Sequence, residues 1–192
     1  MFDYDTAGRL LRLTDQDGKT TVIERNAAGE STLIIGPFGQ RTTIMLNGEG
    51  YLRRLTDPAG HVHELSYTPS GLMTRMEDPN HHVTEFNYDA LGLLTRDEDP
   101  AGGIQDLART ALPDGFEVSR TTGLGRTTTH RVENLPTGQE RRVTTDPNGL
   151  LTERLITGDG THTITTPDGM VSTLVQGPDP RFGMAAPKAL QF

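Results

Sequence analysis

The feature that most constrains this chain is a turn glycine that returns every 21 residues. A first turn signature, Y-D-x-x-G or a variant of it, closes at Gly8, Gly29, Gly50, Gly71 and Gly92. A second signature, D-P-x-G or a variant of it, closes with the same period at Gly18, Gly39, Gly60, His81 and Gly102. A fixed period of this length indicates a repeat architecture in which each unit packs against its neighbours.

Both signatures favour reversal of the chain. Asp or Asn can bond its own backbone two residues on, Pro presets φ near −65°, and Gly tolerates positive φ. The turns alternate at intervals of 10 and 11 residues, and the runs between them are rich in Thr, Val, Ile and Leu. Runs of about six or seven residues suit strands of roughly 20 Å and are too short for independent helices. The prediction is an all-β fold: an antiparallel β-meander with two strands per repeat.

Aligned repeats define columns that assign side chains to the faces of this ribbon. One apolar column contains Ile23, Ile44, Leu65 and Phe86. Two residues later, and so on the same face by alternation, the column contains Arg25, Leu46, Tyr67 and Tyr88. In the other strand, a further apolar column contains Leu10, Leu52, Met73 and Leu94, with Ser31 as the exception. Leu10 and Leu13 differ in parity, which predicts either a β-bulge or a strand partly covered on both faces.

Arginine recurs beside the second apolar column, at Arg12, Arg54, Arg75 and Arg96, with Leu33 as the exception. A row of guanidinium groups on one face could hold an anionic cargo or a glycan. Charged side chains repeated along a sheet are more often its solvated face, and here the acids Glu24, Glu64 and Glu85 are interleaved with the arginines. The second interpretation is preferred.

The period divides the chain into three segments. Residues 1–102 contain the regular repeats, and residues 103–176 contain degenerate repeats in which strand-like runs continue between less evenly spaced turns. Residues 177–192 have three prolines and no alternation, and are expected to be an irregular connector or cap. Met1 falls inside a repeat, so an internal fragment or a late-starting reading frame is expected.

Composition limits the classes of function. The chain is 33% hydrophobic and 5% aromatic, which is lean for a packed globule. Its net charge of −8 argues against nucleic acid and anionic membranes as partners. There is no cysteine and no apolar run long enough to span a bilayer, and the residues MFDYDTAGRL do not have the pattern expected of a signal peptide.

Candidate chemistry is sparse, and the sequence predicts no catalytic, cofactor-binding or metal-ligating residue. His61, His63 and His82 share a predicted face, but the two-strand repeat would separate His61 from His82 by about 9 to 10 Å. The segment Asp15–Gly18 is similar to half of a calcium loop but lacks the downstream acid, so a turn explains it. Asp57, Asp78 and Asp99 are one turn position that recurs, rather than paired catalytic carboxylates.

The residues YDTAGRL, YDALGLL, DPAG and DPNG resemble the YD repeats of the Rhs family, which includes bacterial polymorphic toxins, shell subunits of insecticidal toxin complexes and teneurins. The resemblance covers residues 2–102 strongly and continues to about residue 176. It implies a curved or spiralling β-ribbon that forms part of a hollow shell, with the remainder of the shell and an enclosed C-terminal effector as partners. It also implies a secreted or cell-surface location. Asp179-Pro180 only superficially resembles the family's self-cleavage site.

Two hypotheses of function follow. In the first, the chain is a non-catalytic structural segment of a YD-repeat shell that encloses a C-terminal toxin or effector. In the alternative, it is a cell-surface binding module that presents the arginine column with Tyr67 and Tyr88 to a glycan or a partner protein. If the aromatic and arginine columns lie on the concave side of the ribbon, enclosure is favoured; if they lie on the convex side and cluster, recognition is favoured.

Overall fold

The computed structural model describes residues 1–191, which form eighteen β-strands. The all-β prediction is confirmed, and adjacent strands pair in antiparallel order along the sequence. The chain divides into two compact units, Met1–Gly102 and the part that begins at Gly103.

Unit 1 is a ten-stranded meander in which each strand pairs with the next. Its strands are β1 (Phe2–Tyr4), β2 (Leu10–Thr14), β3 (Thr20–Arg25), β4 (Ser31–Ile35), β5 (Arg41–Leu46), β6 (Leu52–Thr56), β7 (Val62–Tyr67), β8 (Met73–Glu77), β9 (Val83–Tyr88) and β10 (Leu94–Glu98). The strands are five or six residues long after the three-residue β1, as the turn spacing requires.

Unit 2 is an eight-stranded meander with longer strands at both of its ends. Its strands are β11 (Ile104–Leu112), β12 (Gly115–Thr122), β13 (Thr127–Asn134), β14 (Glu140–Thr145), β15 (Leu151–Ile156), β16 (Thr161–Thr165), β17 (Val171–Asp179) and β18 (Gly183–Gln191). The degenerate period of this part of the sequence therefore still specifies a meander.

The segment 177–192 was expected to be an irregular connector or cap, and the structure differs from that expectation. Instead of an irregular connector, its described residues complete β17 and form β18, which pair with register shifts. The side chains do not alternate in polarity, but strand pairing requires only free backbone donors and acceptors. Pro187 lies within β18, a strand that pairs on one side with β17, and proline is tolerated where no ladder hydrogen bond is needed.

The recurrent turns share one hydrogen-bond pattern, shown here by the turn that Asp57 opens. The Gly60 N–H donates to the Asp57 carbonyl at 3.0 Å, and the Asp57 N–H donates to the His61 carbonyl at 2.9 Å. The Asp57 carboxylate accepts the N–H groups of Ala59 and His61 at 2.8 and 2.9 Å. With Gly60 at φ 87°, this is a type I turn followed by a left-handed residue, the usual three-residue hairpin loop. The proposed turn chemistry is confirmed.

Two turn signals differ from this example, the first only in the residue at the closing position and the second in its hydrogen-bond pattern as well. His81 occupies the glycine position with φ 65° and is the only non-glycine residue with positive φ among residues 1–191. Gly115, which ends the LPDG signal, directly pairs with Leu112 and has no positive φ. The glycine there is required for another reason: a Cβ atom at Gly115 would lie 1.9 Å from the carbonyl oxygen of Val132 on the adjacent strand.

A β-bulge recurs in every repeat of unit 1. In β2, Leu10 pairs with Tyr4 and Arg12 pairs with Asp3, so that Leu11 is the extra residue. The same irregularity falls at Thr32, Arg53, Thr74 and Thr95, each 21 residues after the last. Because of the bulge, Leu10 and Leu13 lie on the same face, which confirms the bulge predicted from their parity.

Neither unit has a conventional core. No hydrophobic residue among those that the structure describes is buried, and the apolar residues of the strands range from partly buried to exposed. A ribbon one sheet thick has two faces and no second layer, whereas stable domains bury one sheet face against another element.

Candidate functional site

The candidate functional surfaces are the two faces of the ribbon, and cross-strand register defines them. On one face of unit 1, Ile44 pairs with Leu55 and Leu65 pairs with Met76. This apolar face contains Ile23, Ile34, Ile44, Leu55, Leu65, Met76 and Phe86. On the opposite face, Arg54 pairs with Glu64 and Arg75 pairs with Glu85. This charged face contains Arg54, Glu64, Arg75, Glu77, Glu85, Arg96 and Glu98.

The recurrent bulge separates the leucine column from the arginine column. Met73 and Arg75 are two residues apart and would share a face in a regular strand. The extra residue Thr74 shifts the register, so Met73 pairs with Tyr67 on the apolar face while Arg75 pairs with Ser66 on the charged face. Without the bulge, each repeat that carries this arginine would place a guanidinium group among the aliphatic side chains.

The tyrosine of the YD motif has a structural role beside this bulge. The Tyr88 hydroxyl donates to the Met73 carbonyl at 2.8 Å, fifteen residues upstream on the neighbouring strand. Arg25, at the same position of an earlier repeat, donates to the Leu10 carbonyl at 3.1 Å. A side chain therefore satisfies a main-chain carbonyl at the edge of the bulge. Alternation places Tyr88 on the apolar face correctly but gives no indication of this hydrogen bond.

We expect Tyr88→Phe to lower the free energy of unfolding by about 1 kcal/mol, because it removes one hydrogen bond and leaves the Met73 carbonyl without it. Tyr67→Phe is the matched control: Tyr67 occupies the same column but stacks on Tyr51, with ring centroids 5.3 Å apart. Urea unfolding of the full chain measures both. An equal loss in the two variants would contradict the assigned hydrogen bond.

Three of the four members of the arginine column are paired with acids, as its preferred interpretation predicts. Arg75 Nη2 lies 2.6 Å from Glu77 Oε2, and Arg54 Nε lies 3.9 Å from Glu64 Oε1. Arg96 likewise lies 3.4 Å from Glu98. These are ion pairs within a strand or between neighbouring strands. Exposed pairs of this kind contribute little to stability, but they neutralise the face and leave few free guanidinium groups for an anion.

Glu77 has the most interactions among these carboxylates. Its Oε1 atom lies 2.6 Å from His81 Nδ1, while its other oxygen contacts Arg75. The hydrogen bond from His81, followed by that from Arg75, lowers the pKa of Glu77 below its ordinary value. Glu64 lies directly opposite Glu77 in the neighbouring strand, and like charges so placed repel. The contacts with His81 and Arg75 offset that repulsion.

Two of the candidate histidines belong to turns, the third lies in a strand, and the three do not converge. His61 Nδ1 lies 2.9 Å from Asp57 Oδ2, and His82 Nδ1 lies 3.0 Å from Asp78 Oδ2. His63 lies within β7, opposite Leu55 on the apolar face. Within residues 1–191, no group of three or more His, Cys, Asp or Glu side chains is placed to hold a metal ion.

The turn aspartates accept hydrogen bonds from backbone N–H groups of their own loops. Asp78 Oδ1 accepts the N–H groups of Asn80 and His82 at 2.8 and 2.9 Å. The backbone bond from His82 is the main cause that lowers the pKa of Asp78, and partial burial opposes it. Asp99 similarly accepts from Ala101 at 2.8 Å. The recurrence of these acids therefore reflects turn geometry.

Two further sequence candidates also lie in turns. Asp15 Oδ1 accepts the N–H groups of Asp17 and Lys19, both at 2.9 Å, which makes the calcium-like segment a hairpin loop. Asp179 Oδ1 accepts the Arg181 N–H at 2.8 Å in the turn between β17 and β18.

Unit 2 also has a charged face. Arg141 contacts Glu133 at 3.0 Å and Glu153 at 2.5 Å, and Arg131 contacts Glu133 at 2.6 Å. These pairs link three adjacent strands, and hydrogen bonds to both carboxylates raise the pKa of Arg141. Alternating acids and bases are visible in the sequence of β13–β15, but their pairing depends on the register.

The opposite face of unit 2 contains the least exposed polar side chain of the described residues. His162 on β16 is only 9% exposed, and its Nδ1 atom has no hydrogen-bond partner. It pairs with Ile156 on one side and Leu174 on the other. The sequence analysis did not single out His162, since the alternating run THTIT carries no signal that this threonine-rich strand is covered.

The sequence matches a known family over nearly its whole length. The family model described as Teneurin YD-shell matches residues 1–188. No curated protein matches the sequence. In residues 1–191, no helix is long and apolar enough to cross a membrane.

Solved structures share this fold. The chain resembles the crystal structure of TcdB2-TccC3-Cdc42 with a TM-score of 0.53 and 18% identity, over 95% of this chain and 12% of that chain. It resembles the crystal structure of TcdB2-TccC3 with a TM-score of 0.52 and 15% identity, over 91% of this chain and 12% of that chain. The chain thus spans about one eighth of the length of the chains it matches.

Proposed function

This chain belongs to the Teneurin YD-shell family, and on that premise we propose that it is a segment of a shell wall that encloses a C-terminal toxin or effector. The family match supports a structural role, and the ribbon of hairpins is suited to it. The enclosed effector is the part of the proposal that goes beyond the family.

The observation that carries the proposal is the absence of any buried hydrophobic residue in the part of the chain that the structure describes. Burial of apolar surface is the main favourable term in folding, so a two-faced ribbon gains little of it alone. Exposed apolar residues such as Phe38, Leu91 and Leu124 are 76%, 83% and 84% accessible. Such a ribbon is best suited to being one part of a larger wall whose other parts supply the missing contacts.

The difference between the two faces fits a wall that separates two environments. The charged face has side chains paired with one another, so it can face water without binding a specific ligand. The apolar face has repeated aliphatic and aromatic side chains, none of which is fully buried. A wall of this kind isolates a cargo by exclusion and needs no site shaped to one cargo. We propose that it acts without catalysis, in a secreted or cell-surface protein.

The alternative, a glycan-binding or adhesin-binding surface, loses its geometric basis. It requires the arginine column and the tyrosine column to act together, but Tyr67 and Arg75 lie on opposite faces of unit 1. The Tyr88 hydroxyl already donates its hydrogen bond to the Met73 carbonyl.

The experiment that tests the proposal uses the complete protein from its source. DNA on both sides of this reading frame is sequenced, and the protein it encodes is digested with trypsin while the fate of its C-terminal domain is followed. We expect further YD repeats in the flanking sequence and a C-terminal domain that survives digestion at least tenfold longer than the same domain expressed alone. A C-terminal domain digested equally fast in both forms would refute enclosure, as would a complete protein without any such domain.

A further inference from the structure

His162 is an unusual residue in a ribbon that lacks a core. It is only 9% exposed, although no hydrophobic residue within 1–191 is buried to this degree. Its Nδ1 atom is shielded from solvent and makes no hydrogen bond. A buried polar atom without a partner destabilises the fold, so its presence requires an explanation.

The neighbours of His162 make its protonation unfavourable. Register places Ile156 and Leu174 on either side of it. Arg154 pairs with Ile164 and with Arg142, so both arginines share the face of His162. The Arg154 Nε atom is also shielded and without a hydrogen bond. A proton on His162 would thus add a third positive charge to a face that already carries two guanidinium groups.

The remaining groups around the site are few. From β14, Glu140 shares this face and would favour the charged imidazole, but Glu140 is bonded to Arg142 at 2.5 Å. From β17, Gln176 contributes a contact that also favours protonation, and Leu174 is apolar. Burial is the largest effect, followed by the charges of Arg154 and Arg142, and together they lower the pKa of His162.

We propose that His162 makes the segment β15–β17 a pH-sensitive point of the wall, held closed when the imidazole is neutral and loosened in mildly acidic surroundings. This pH sensitivity depends only on the local packing around His162. The proposal therefore does not require that the shell encloses an effector. Protonation of His162 would weaken one part of the ribbon while the turns and ion pairs of unit 1 keep their structure.

The direction in which pH changes the opening equilibrium follows from proton linkage. Above about pH 6.5 the imidazole is neutral in both the closed and the open state, so it has no effect. Below that pH the open state binds a proton that the closed state resists, so opening becomes more favourable as the pH falls towards the lowered pKa of the closed state. The opening equilibrium constant should rise by up to about tenfold per pH unit in this window.

The test is hydrogen exchange of the full chain at pH 7.5, 6.5 and 5.5, corrected for the intrinsic pH dependence of exchange. In the wild type, we expect the amides of β15–β17 to lose several-fold in protection between pH 6.5 and 5.5. His162→Gln, which is neutral at every pH, should abolish that loss. His130→Gln is the matched control, because His130 lies on the same face but is exposed and contacts Thr144.

Two results would overturn the proposal: pH-independent protection of β15–β17 in the wild type, or an unchanged pH response in His162→Gln. If His162→Gln does not fold, NMR titration of the His162 ring in the wild-type chain decides. A ring that titrates clearly below its ordinary value of about 6.5 supports the proposal, whereas one that titrates at that value refutes it.

Discussion

Replacing Gly115 with alanine should destabilise the chain by about 3 kcal/mol, near the upper end of overpacking costs. The added Cβ atom would lie 1.9 Å from the Val132 carbonyl oxygen and 2.9 Å from its carbonyl carbon. Backbone atoms cannot rotate away as a flexible side chain can, so β12 and β13 must separate where Gly115 pairs with Glu133. Thermal unfolding of the full chain should show a melting temperature lower by roughly 6 to 12 °C.

Gly158→Ala is the control for that substitution. A Cβ atom at Gly158 meets nothing within 4 Å, and Gly158 does not have positive φ. Alanine there reduces the entropy of the unfolded chain and should stabilise by about 0.5 kcal/mol. Opposite signs for the two glycines are expected. Similar small effects would show that β12 and β13 are not packed at the distance described.

Replacing Gly71 with valine should lower the free energy of unfolding by about 3 kcal/mol. Gly71 has φ 90°, where a β-branched residue is strained by roughly 2 kcal/mol. The new Cβ atom would also lie 2.6 Å from the Tyr51 ring, which must move away from Tyr67. Loss of that aromatic contact adds about 1 kcal/mol. Urea unfolding of the full chain measures the change.

Gly60→Val separates the two causes. Gly60 has nearly the same backbone conformation, with φ 87°, but a Cβ atom there meets nothing within 4 Å. It should therefore lose only the conformational part, about 2 kcal/mol. A wild-type stability in either variant would contradict the turn assignment. An equal loss in both would show that Tyr51 does not pack on Gly71 in solution.

The sequence predicts much of this fold because its strongest signals are local. A turn such as Asp57–His61 is specified by residues that bond one another within five positions, so its conformation can be inferred before any strand is paired. The same is true of strand length, which is the interval between two turns. Face assignment by alternation was also correct for Ile44 and Leu65, because the extra residue of each bulge lies on the neighbouring strand and leaves the alternation of β5 and β7 intact.

Candidate chemistry was harder to predict because it depends on neighbours that are distant in sequence. His61 and His82 are set by their own turns, as the repeat suggested. His162 gives no sequence signal, since its burial depends on Ile156, Leu174 and the arginines of two other strands. Likewise, the strand β18 forms through backbone pairing with β17, which its side-chain pattern does not reveal.

The sequence by itself determined the period, the turns, the antiparallel meander and the family, because turn residues act through short-range backbone preferences. Tertiary structure alone decided which columns oppose one another. The bulge at Thr74 places Met73 and Arg75 on different faces, Tyr88 bonds the Met73 carbonyl, and Gly115 approaches Val132. Each of these depends on the register between strands, which is fixed by contacts across the sheet and not by the order of residues within one strand.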